Sequence, residues 1–252
     1  MTPDALAAHL LAAGVTHRRL DGIPIHPDTP EEYGYILNNS GHKSWTTPES
    51  LPLLQQIIDR LSDRCDRPVL LKNPWDYAHF PLLAAHWPQA RFIFLHRHPL
   101  RVIHSTTQIF RVMWQQQPDP YVLLLSARYG RLWASPLRRR LLRWLATGVW
   151  GLDVRAITRG VQAANHHYLA HKDTLSPRRQ VVVRYEDLCT DPPAALQALL
   201  AALDQPAPQT AHPPRHGHAP LLPVLHRRQR QICQTMRPYL DHFGYSDDGE
   251  NP

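Results

Sequence analysis

Residues 91–105 read Arg91-Phe92-Ile93-Phe94-Leu95-His96-Arg97-His98-Pro99-Leu100-Arg101-Val102-Ile103-His104-Ser105. The run Phe92 to Leu95 is apolar without alternation, which predicts a strand buried on both faces of a parallel sheet. Such a strand delivers Arg97 to the sheet's C-terminal edge. His98 suits a helix N-cap, with Pro99 at the first helical position, where a missing N–H loses nothing. Val102, Ile109, Phe110 and Met113 recur at helix spacing, so a helix over 99–114 packs on the sheet. Ser105 falls on its second turn, within reach of the Arg97 fork. A guanidinium and a hydroxyl meeting at a strand–helix switch form a phosphate clamp, helped by backbone N–H groups and the helix dipole. Open α/β sheets bind ligands in such crevices. The plainer alternative is a surface arginine and an ordinary helix serine.

Outward from this stretch, Val69-Leu70-Leu71 and Val181-Val182-Val183 are further short β-rich runs. Helical patterns cover about 4–13, 51–61, 78–87, 152–172, 194–203 and 232–243, and Thr29-Pro30-Glu31-Glu32 reads as a helix start. Strand and helix alternate, which predicts an α/β fold: a three-layer sandwich around a mostly parallel sheet. A single domain over 1–252 is expected, with 118–150 a helical insertion or lid and 205–226 a Pro- and His-rich loop. The segment Arg138-Arg139-Arg140-Leu141-Leu142-Arg143-Trp144 is basic and amphipathic. It fits a lid or a membrane-surface helix, or a solvated helix whose Leu and Trp side chains pack on the domain. His212, His216, His218 and His226 match no metal-ligand spacing, and no metal is expected.

The chain has 252 residues, 28 Lys plus Arg against 21 Asp plus Glu, and a net charge of +7. That balance favours an anionic partner, although 25 prolines and many Ala and Arg fit a GC-rich coding bias equally well. Cys65, Cys189 and Cys233 are scattered with no CxxC spacing, which argues against a disulfide framework or a structural zinc and for a reducing compartment. No apolar run reaches about 18 residues, and residues 1–20 lack the apolar region and cleavage site of a signal peptide. A cytoplasmic enzyme is expected.

Arg97 and Ser105, eight residues apart after a hydrophobic strand, resemble the 3′-phosphate-binding motif of sulfotransferases that use 3′-phosphoadenosine-5′-phosphosulfate (PAPS). His98 stands where that family usually has Asp or Asn, a departure at the cap rather than the clamp. Arg184-Tyr185-Glu186-Asp187-Leu188 with Asp191-Pro192 resembles the family's late strand and acidic turn. The resemblance implies that Tyr185 lies near the adenine. Leu70-Leu71-Lys72-Asn73-Pro74 and Trp87-Pro88-Gln89-Ala90-Arg91-Phe92 resemble the approach to the clamp, and Asp241 to Tyr245 the family's C-terminal ending.

The family's opening loop, which wraps the 5′-phosphosulfate, has no counterpart before Arg91. Gly41-His42-Lys43-Ser44-Trp45-Thr46-Thr47 lacks a preceding buried strand and meets Pro48 where a helix should run. The resemblance therefore implies a P-loop-like architecture that is N-terminally incomplete, with edges and apolar area left exposed.

What the resemblance implies chemically is sulfuryl transfer from PAPS to a hydroxyl or amine of a small-molecule, glycan or lipid acceptor. Such transfer needs a base for the acceptor's proton and a cation for the leaving phosphate. Lys72 is the cation candidate; Glu31, Glu32, Asp76 and His79 are candidates for the base. Each also reads as a cap, turn or surface residue.

The main alternative is a nucleotide-binding or interaction protein that keeps the fold without catalysis. A P-loop kinase relative is disfavoured by the lack of any G-x-x-x-x-G-K-[ST], and no nucleic-acid-binding motif is present. Segment 138–143 leaves peripheral membrane contact open, and oligomeric state is equally open.

Overall fold

The apolar run at 92–95 forms a strand, and the computed structural model places it against a second strand in parallel. The structure describes residues 3–12, 14–18, 24–26, 31–63, 68–115, 117–206 and 220–249. In chain order the elements are α1 (Pro3–Ala12), α2 (Gly34–Asn39), α3 (Leu51–Ser62), α4 (Phe80–His86), β1 (Phe92–His96) and α5 (Pro99–Gln115). There follow α6 (Pro120–Leu125), α7 (Ala127–Ala134), α8 (Pro136–Ala146), α9 (Leu152–His171), β2 (Gln180–Arg184) and α10 (Tyr185–Thr190). The last three are α11 (Pro192–Ala202), α12 (Pro223–Thr235) and α13 (Arg237–Phe243). The chain divides into two compact units: residues 1–79 with 108–150, and residues 80–107 with 151–252.

The second unit holds the sheet. β1 and β2 pair in parallel with Leu95 opposite Val183 and His96 opposite Arg184. Phe94 and His96 point into an aromatic cluster. Phe94 meets Phe80 and Tyr168 at 5.0 Å between ring centres, and His96 meets Phe243 at 4.1 Å. Leu100, Ile103, Val154, Leu225 and Leu240 are fully buried where α5, α9, α12 and α13 pack together. Each contributes about 1.5–3 kcal/mol of hydrophobic stabilisation. Arg179 ties the α4–β1 turn to the start of β2: its guanidinium donates to the carbonyls of Ala84, Trp87 and Ala90 at 2.9–3.1 Å. On the other side of the sheet Ile93 and Leu95 are exposed.

In the first unit, α5's last turn, α6, α7 and α8 enclose Trp114, Val122, Tyr129, Trp133 and Ala146. Asp119 caps α6 through Tyr121 N at 2.9 Å, and Ser126 caps α7 through Tyr129 N. The expected insertion at 118–150 is thus three short helices. It is cut at Ser126 and Ser135, whose extended backbones end one helix and start the next.

Several expectations are corrected. Val69-Leu70-Leu71 is irregular, not a strand, and Leu70 is 80% exposed. Pro68 and Pro74 flank it without N–H groups, leaving too short a run to sustain a ladder. Among the described residues the sheet therefore has two strands. The expected closing helix 232–243 is two helices broken at Met236, because Pro238 cannot continue α12's hydrogen bonding. The expected loop 205–226 is helical from Pro223 onward, with His226 on α12. His212, His216 and His218 lie outside the described residues, as do Thr29 and Pro30; the helix expected to start there begins at Gly34.

Candidate functional site

In the second unit, β1 ends at His96 and β2 at Arg184, directly opposite each other in the ladder. The next residues, Arg97 and Tyr185, are consequently neighbours. The Arg97 guanidinium carbon lies 4.4 Å from the Tyr185 ring centre, a cation–π stack. Burial raises the Tyr185 phenol's pKa, with the Cys189 side chain adding to the rise, while Arg97 opposes it.

The helix after Arg97 starts as its sequence predicts. His98 Nδ1 accepts from Leu100 N at 3.2 Å, and its Nε2 lies 2.8 Å from the Ser246 carbonyl, to which it donates. That pairing specifies the neutral imidazole, and burial lowers the His98 pKa accordingly.

Glu186 was not singled out from the sequence, yet it organises this corner. Its Oε1 accepts from His98 N and its Oε2 from the Tyr245 hydroxyl, each at 2.9 Å. A carboxylate therefore already sits on one N–H at the start of α5, where helix ends favour negative charge. Its position beside Tyr185 was the available signal. Ser105 lies on α5, half-buried, and among the described residues no hydrogen bond joins it to Arg97. Next to it, burial and the charges of Arg101 and Arg97 lower the pKa of His104, whose Nδ1 accepts from Leu222 N.

In the first unit, the stretch 31–34 lies against 72–76. Lys72 Nζ donates to Glu32 Oε1. Burial works to raise the Glu32 pKa, but the hydrogen bond and charge of Lys72 carry it below its ordinary value. Glu31 accepts from the Tyr121 hydroxyl and lies 3.6 Å from Arg18; burial dominates, and its pKa is raised. Adjacent carboxylates thus differ in proton affinity.

Asp76 is buried and accepts from Tyr33 OH at 2.5 Å, Thr46 N at 2.6 Å, Thr46 Oγ1 at 2.8 Å and Asn73 Nδ2 at 2.7 Å. Four donors make it a junction for three loops. His79 Nδ1 is 3.7 Å from Asp76 Oδ1, and its ring stacks on Trp45. Gly34 permits the close approach of these segments. A Cβ there would lie 2.5 Å from the Ser44 carbonyl and 2.6 Å from the Trp75 ring. Thr46 and Thr47 have structural employment, the latter in a capping box with Ser50 that opens the turn before α3.

The five catalytic candidates therefore gather in the first unit. The nucleotide candidates Arg97 and Tyr185 gather in the second. Arg97 makes no ion pair with a carboxylate among the described residues, and its guanidinium stacks on an aromatic ring. Both features suit a phosphate-bearing purine ligand. No group of three or more His, Cys, Asp or Glu among the described residues is placed to hold a metal.

Residues 4–209 match the sulfotransferase family. No curated protein matches the chain. Among solved structures, a sulfotransferase domain from the curacin biosynthetic pathway is similar, at 18% identity and a TM-score of 0.47. The match covers 77% of this chain and 68% of that one.

Proposed function

The chain belongs to the sulfotransferase family, and we propose that it transfers a sulfuryl group from PAPS to a hydroxyl or amine of a small-molecule acceptor. The observation that carries the assignment of the nucleotide site is the Arg97–Tyr185 stack at the end of the paired strands. In this reading Arg97 holds the 3′-phosphate, with the Ser105 hydroxyl as its second donor, and Tyr185 packs against the adenine.

In the transfer the sulfur–oxygen bond to the 5′-phosphate breaks, and a new one forms to the acceptor oxygen or nitrogen. The acceptor's proton passes to a base. Lys72, held by Glu32, is the first unit's candidate for the positive charge this chemistry needs. Glu31 is the base favoured here, because burial raises its pKa toward the working range of a proton acceptor. Asp76 is engaged by four donors and acts as a support for the segment bearing Lys72. His79 is the alternative base, half-buried beside Asp76.

Calorimetric titration with 3′-phosphoadenosine-5′-phosphate tests the reading, with adenosine 5′-phosphate as control. Binding that requires both the 3′-phosphate and Arg97 supports it. If folded wild-type protein fails to bind, the nucleotide assignment falls.

A further inference from the structure

Helix α8 carries two unlike faces. At about 100° per residue, Arg139, Leu142, Arg143 and Ala146 share one side, and that side is packed. Arg139 Nη1 donates to the Trp133 carbonyl at 3.2 Å and Arg143 Nε to the Trp114 carbonyl at 3.1 Å. Ala146 is fully buried and Leu142 packs on the same tryptophan cluster. The opposite side carries Leu137, Leu141 and Trp144 in a stripe spaced by four and three residues. They are 83%, 55% and 44% exposed. Arg138 and Arg140, also exposed, flank this stripe on either side.

The surrounding chain shares the charge. Between Asp119 and Asp153 there are six arginines and no acidic residue, and Asp119 itself is buried. We propose that α8 rests on an anionic membrane surface, its Leu137–Leu141–Trp144 stripe entering the headgroup boundary while Arg138 and Arg140 contact lipid phosphates. Apolar apex, basic flanks and no acid are the attributes of an interfacial helix. A second copy is a poorer occupant, since pairing two such faces would oppose arginine to arginine. A nucleic acid would satisfy the arginines and leave the exposed leucines in water. No helix among the described residues is long and apolar enough to cross a membrane, so the contact is peripheral. Sulfuryl transfer is not required for it.

Flotation of the full chain with phosphatidylcholine vesicles, and with mixed phosphatidylcholine–phosphatidylglycerol vesicles, tests the contact. Binding to the mixed vesicles alone is expected. Arg138→Gln with Arg140→Gln should weaken it roughly 30-fold. Leu137→Ser with Leu141→Ser should weaken it on the order of 100-fold. All four side chains are exposed, so folding, followed by circular dichroism, should persist. Equal binding to both vesicles, binding to neither at low salt, or full retention by the leucine variant would overturn the proposal. So would a wild-type dimer that the leucine variant abolishes, which would make a second copy the occupant.

Discussion

Arg97 and Tyr185, 88 residues apart in the chain, stack at 4.4 Å because His96 and Arg184 are register partners in the parallel ladder. The pairing puts a cation and a ring side by side at one edge. Arg97→Lys keeps the charge but loses the planar stack and the bidentate fork. Affinity for 3′-phosphoadenosine-5′-phosphate should fall about ten-fold, and in Tyr185→Ala by a similar factor. Calorimetry reads both, and an unchanged affinity in either variant would remove that residue from the site.

Glu186 holds two donors, His98 N and Tyr245 OH. Glu186→Ala leaves both unsatisfied in a buried place and should cost about 2–4 kcal/mol of stability. Glu186→Gln keeps one acceptor oxygen for His98 N, and its amide can donate to the Tyr245 hydroxyl oxygen, so it should cost less. Denaturant titration of the two variants would show whether the order is as stated.

The pair Glu31 and Glu32 predicts opposite pH responses. Glu31's raised pKa means the folded state holds the proton more tightly than the unfolded chain. Its contribution is present below the ordinary value of 4.5 and is lost as pH rises through the folded pKa. Glu32's lowered pKa gives a contribution present above 4.5 and lost as pH falls through the folded value. The stability of Glu31→Gln relative to wild type should therefore improve as pH rises from acid to neutral. That of Glu32→Gln should worsen. Parallel curves for the two variants would contradict the assignment.

Gly34→Ala places a methyl group 2.5 Å from the Ser44 carbonyl and 2.6 Å from Trp75. Segments 31–34 and 72–76 must then separate, at a cost of about 1–3 kcal/mol. A Tm lowered by several degrees in a thermal melt is expected. A melt indistinguishable from wild type would mean the two segments are not tightly apposed.

The elements around Arg97 were legible because their signals are local. Apolar runs at 92–95 and 181–183 marked the strands that extend over 92–96 and 180–184, and the His98-Pro99 step marked the start of α5. The same reading failed at 69–71, where an apolar composition was present but flanking prolines denied it a ladder. It also left open which way α8 faces. Both failures have one cause: whether a short apolar run is buried depends on a partner elsewhere in the chain.

By itself, the sequence named candidates for the chemistry and marked most of the helices and both paired strands, since periodicity and capping act over a few residues. Only the tertiary structure decided the partnerships. It set Arg97 on Tyr185, Glu186 under His98, Lys72 against Glu32, and Asp76 among four donors. Those contacts span 30 to 88 residues where they join separate segments. Their choice rests on strand register and on burying polar groups only where donors meet acceptors, and neither is written in any local pattern.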